Sequence, residues 1–99
     1  MKKNVNILNL YRKVICSLLC IIKNTKNSNL KNETSKYLDE FLKQYELYNN
    51  QGTYSLNNYD KIINFCNECY EDKDIFDYAE DVEYGLEELM EITINKGEN

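Results

Sequence analysis

The chain has 99 residues, 42% hydrophobic and 29% charged, with no proline, histidine or tryptophan and three glycines. That length bounds it to one small domain, and the composition excludes collagen, proline-rich linkers and glycine-serine tails. Without histidine there is no His-based triad, no His-containing zinc site and no histidine pH switch. Gly52, Gly85 and Gly97 are too scattered to form a phosphate loop.

The net charge of −5 hides an asymmetry: residues 1–32 carry seven basic side chains and no acidic one. Residues 71–91 carry ten carboxylates against Lys73 alone. An acidic surface of this kind repels nucleic-acid phosphates and suits a basic protein partner.

Apolar positions follow helical spacing almost throughout. The first predicted helix covers residues 4–23, with an apolar set of Ile7, Leu8, Tyr11, Val14, Ile15, Leu18, Leu19 and Ile22. Cys16, Cys20 and Ile21 extend that surface around much of its second half, as expected of a helix that is central or bound to something. The apolar run from Val14 to Ile22 has the length of a signal-peptide core, but no small-residue cleavage pattern follows it. It is too short to span a bilayer, and it reads as a buried helix of a cytoplasmic protein.

The second predicted helix covers residues 30–48, capped by Ser28 or Asn29, with the stripe Leu30, Tyr37, Leu38, Phe41, Leu42, Tyr45 and Tyr48. Gly52 is placed to adopt the left-handed conformation that follows a helix. The third covers residues 55–70, with Ser55 as N-cap, Tyr54 and Tyr59 as a hydrophobic staple, and the stripe Tyr59, Ile62, Ile63, Cys66, Cys69 and Tyr70. The fourth covers residues 74–95, with the stripe Phe76, Ala79, Val82, Leu86, Leu89, Met90 and Thr93. Gly85 within it marks a kink, a close helix contact or a boundary between two helices. No strand alternation is present, so the expected fold is all-α: a single antiparallel four-helix bundle.

Two groups of residues could carry chemistry. Cys16 and Cys20 are four apart, and Cys66 and Cys69 form a C-x-x-C. Four thiolates could in principle hold zinc. Structural zinc ligands usually come from turns, however, whereas these cysteines fall within predicted helices. They read as core thiols, with no metal and no cofactor expected. The acidic run holds Asp74, Asp77, Glu80, Asp81, Glu83, Glu87, Glu88 and Glu91, with Tyr78 and Tyr84 among them. An EF-hand is rejected, because Phe76 and Asp77 occupy the places of an oxygen ligand and the glycine. Like charges at helical spacing repel, and a basic partner would relieve that repulsion. These ten residues are the predicted partner-binding set. The basic residues Lys2, Lys3, Arg12 and Lys13 are expected either to pair with the acids of the fourth helix or to face an anionic membrane.

The four-helix pattern and the acidic stretch Asp81-Val82-Glu83-Tyr84-Gly85-Leu86-Glu87-Glu88-Leu89 resemble the small helical immunity proteins of the colicin D type, over the second half of the chain. Acidic phage anti-CRISPR proteins are similar in composition alone. The resemblance implies stoichiometric inhibition of a basic partner, such as a toxin nuclease or a CRISPR-type nuclease. Enzymatic activity is not expected, given the lack of histidine, of Gly-rich loops and of a nucleophile-base pair, and direct nucleic-acid binding is not expected of so acidic a chain. The alternative expectation is a membrane-associated bacteriocin immunity or regulatory factor that uses the apolar first helix. A further one is a subunit whose first helix packs in an oligomer.

Overall fold

The computed structural model describes the backbone of residues 5–52 and 59–97, and the side chains of residues 6–52 and 59–92. Its architecture is all-helical: α1 (Val5–Asn24), α2 (Ser28–Gln51), α3 (Tyr59–Cys69) and α4 (Phe76–Gly97), with no strand among the described residues. The chain measures 42 × 23 × 19 Å along its principal axes. That suits helices lying along a common long axis, since the 24 residues of α2 alone extend about 36 Å.

α1 is the central element and packs against both α2 and α4, while α3 packs against α4. Its inward stripe is Ile7, Tyr11, Val14, Leu18 and Ile21, all fully buried. On the α2 side, the Tyr11 ring meets Phe41 edge-on at 6.1 Å and Tyr48 at 6.4 Å. The Tyr11 hydroxyl donates to Gln44 Oε1 at 3.4 Å, so the buried ring keeps a partner for its polar tip. α3 reaches α2 through the Tyr37 and Phe65 rings, 5.2 Å apart.

Helix ends follow local chemistry. The Asn27 side chain accepts from the N–H groups of Asn29 (2.9 Å) and Leu30 (3.2 Å), which makes Asn27 the N-cap of α2 in place of the expected Ser28 or Asn29. Gly52 takes the left-handed conformation (φ 69°), and its N–H donates to the Tyr48 carbonyl, as expected. The Ser55 cap and the Tyr54–Tyr59 staple lie outside the described residues. A buried hydroxyl at Thr34 is satisfied within its own helix by donating to the Leu30 carbonyl.

The core departs from the expected stripes in a consistent way. Leu19, Leu42 and Phe76 were expected inside and are exposed. Ile21, Thr34, Phe65 and Ile75 are buried instead. In α1 and at the start of α4, adjacent apolar residues offer the core two alternative faces. The neighbouring helix then selects one of them.

Gly85 is the close helix contact. α4 runs through it without interruption, and a Cβ added there would stand 2.7 Å from Val14 Cγ2. Val14 is fully buried and β-branched, so it has little room to yield. Gly85→Ala is expected to lower stability by about 1–2 kcal/mol, because overpacking outweighs the ~1 kcal/mol that alanine gains over glycine in a helix. In a Val14→Ala background the same change should become neutral or stabilising. Denaturant titration of the four chains measures that reversal of sign.

Candidate partner-binding face

The buried side of α4 and its lead-in is built from Ile75, Ala79, Val82, Leu86 and Leu89. At about 3.6 residues per turn, Tyr84 falls on the opposite side of the helix. It is 49% exposed. Around it stand Asp77, Glu87, Glu88 and Glu91, exposed, with Glu80 and Asp81 half-buried. The structure therefore brings seven of the ten predicted residues onto one outward face, with an aromatic ring near its centre.

The other three are placed differently. Asp74 is exposed but precedes the helix, and its N–H donates to Asp72 Oδ1 at 3.0 Å in the turn that leads into α4. Tyr78 is half-buried and packs against the core. Glu83 turns toward α3, where its Oε1 accepts from the Tyr70 hydroxyl at 2.9 Å. Burial raises the Tyr70 pKa, and the Glu83 hydrogen bond and charge raise it further. Tyr59 is also raised, by burial first and then by the charges of Glu87 and Glu83.

Phe76 lies beside this surface, on the α3 side with Glu83. Its ring is exposed at the start of α4 and lies 5.0 Å from that of Tyr70. A signal was present in the sequence: only one of Ile75 and Phe76 can share a helical face with Ala79, Val82, Leu86 and Leu89, and the spacing selects Ile75.

Arg12 does not turn to the acidic helix. Its Nε donates to the Tyr45 hydroxyl at 3.1 Å, and its guanidinium carbon lies 5.7 Å from the Tyr45 ring centre, so it serves the α1–α2 contact. Lys2 and Lys3 lie outside the described residues. The thiols divide into two kinds. Cys66 and Cys69 are buried, as expected, whereas Cys16 is exposed and Cys20 half-exposed on α1. Four converging thiolates are thus absent, and no cluster of three or more potential metal ligands occurs among the described residues.

Comparison with protein-family models, curated proteins and solved structures finds no match to this chain.

Burial raises the Cys69 thiol from its ordinary 9.0 to about 12 and moves Cys66 in the same direction. Two thiols per chain should therefore react with a thiol reagent in the native protein, and the other two only after denaturation. The folded state favours the protonated thiols, so their contribution is complete below the unfolded-state value. It is lost as pH rises toward the folded one. Stability measured by denaturant titration should accordingly fall between about pH 9 and pH 12.

Proposed function

We propose that this chain is a small acidic inhibitor that binds a basic protein stoichiometrically, of the kind that neutralises a toxin nuclease or a CRISPR-type nuclease in the cytoplasm. The observation that supports this reading is the outward face of α4, where exposed Tyr84 is surrounded by Asp77, Glu80, Asp81, Glu87, Glu88 and Glu91. Carboxylates without interleaved lysines steer a basic partner and accelerate encounter, and an exposed tyrosine anchors the complex once formed. An antiparallel four-helix bundle is the architecture proposed to carry this face. It is supported by Tyr11 meeting Tyr48 near the end of α2 and by Thr25, after α1, bonding Asp72 before α4.

The alternative is a membrane-associated factor that uses α1. Ile7, Tyr11, Val14, Leu18 and Ile21 are spent on the core, which leaves this reading the outer side of α1 with exposed Leu19; no helix among the described residues is long and apolar enough to cross a membrane.

Partners captured from the native host at low salt and released at high salt, then purified, provide the test. Lysine substitutions at Asp77, Asp81 or Glu87 should each slow association with the purified partner several-fold, and added salt should mimic them. Tyr84→Ala should instead speed dissociation about tenfold. Glu83→Gln should lower stability and leave association nearly unchanged, because Glu83 is engaged with Tyr70. Association that is indifferent to paired charge reversals would reduce the acidic face to a device for solubility.

A further inference from the structure

We propose that Cys16 and Cys20 form a two-thiolate chelating site for one soft, low-coordinate metal ion of the Cu(I) class, independently of any role of α4. Both lie in α1, one turn apart and on the side facing away from its buried stripe. Cys16 is exposed, Cys20 is half-exposed, and Leu19 beside them is 47% exposed. The pair is therefore accessible to an ion from solvent while the helix stays folded.

Spacing selects the chemistry. Side chains four apart on a helix have Cβ atoms about 5–6 Å apart, whereas a disulfide requires about 3.5–4.5 Å. The pair resists closing on itself unless the helix distorts. A bridging metal removes the obstacle: two metal–sulfur bonds of about 2.3 Å each, the length seen for zinc thiolates, let the sulfurs stay up to about 4.6 Å apart. Soft thiolates favour Cu(I) over harder ions. The surroundings also favour two-coordination. Residues 1–32 contain no carboxylate, the chain contains no histidine, and no group of three or more potential metal ligands occurs among the described residues, so no further side chain completes a tetrahedral zinc or an oxygen-rich site there. A bis-thiolate complex of a monovalent ion carries one negative charge. Exposed Lys13 stands one turn before Cys16 and exposed Lys23 one turn after Cys20, both placed to offset it. Binding exchanges two S–H bonds for two S–Cu bonds and releases two protons, with no change in oxidation state.

Cys66 and Cys69 do not compete. They are buried in the core, and both thiols are held protonated by that burial.

The test is an anaerobic titration of the reduced chain with Cu(I) against a colorimetric Cu(I) chelator, alongside Cys16→Ser, Cys20→Ser and the double variant. The expected result is one ion per monomeric chain, at least a hundredfold weaker binding in either single variant, and helical circular dichroism unchanged by the substitutions. Retention of wild-type affinity in either single variant, or in the double variant, overturns the proposal. So does one ion shared between two chains by sedimentation. Phenylarsine oxide checks the spacing separately. The arsenic forms two As–S bonds and releases one water, so one equivalent should block both native-reactive thiols; two equivalents consumed independently would contradict a chelating pair.

Discussion

The approach of α1 to α4 at Gly85 is the constraint on which the rest of the arrangement depends. Glycine removes the Cβ that would otherwise stand 2.7 Å from Val14 Cγ2. The two backbones can then approach closely over the buried stripes of both helices. With α1 held against α4 on one side, its Tyr11 is left to meet Phe41, Gln44 and Tyr48 of α2 on the other. The central position of α1 is thus bought by a residue that costs about 1 kcal/mol in an isolated helix.

A second contact orients the segment before α4. Buried Thr25 accepts from the Asn27 N–H at 3.1 Å and donates to Asp72 Oδ2 at 3.3 Å. Asp72 in turn accepts from the Asp74 N–H, and its carbonyl accepts from the Ile75 N–H at 3.2 Å. The end of α1 and the lead-in to α4 are therefore tied through one carboxylate. Ile75, delivered inward by this turn, sets the rotation of α4. That rotation directs Tyr84 and its acidic neighbours outward while Glu83 meets Tyr70. Asp72 and Glu83 thus serve the fold, and the acids opposite the core face outward.

The same rotational logic separates the four cysteines. On α3, Cys66 and Cys69 share the buried side with Ile62 and Phe65. On α1, the buried stripe is complete without Cys16 and Cys20, which remain on the outer side. Two residue pairs of similar spacing thus differ in environment, one shielded in the core with its thiol pKa values raised, the other open to solvent.

The sequence by itself determined that the chain is helical, that four helices run through the described residues, that Gly52 closes α2, and that most carboxylates of residues 71–91 lie on the last helix. These follow from periodicity, from Gly52 and from composition, which act within a few residues of the chain. Tertiary structure decided which way each helix is rolled. Ile21 rather than Leu19 or Ile22, and Phe65 beside Cys66, are settled by which neighbour each helix packs against, because apolar residues encircle α1 and the inward stripe of α3 is broad. Which of the three readings of Gly85 applies needed the facing side chain of Val14, seventy-one positions away in the chain. Local pattern carries no information about such a partner, and so the sequence could assign ten residues to a face without showing that Glu83 and Tyr78 are turned away from it.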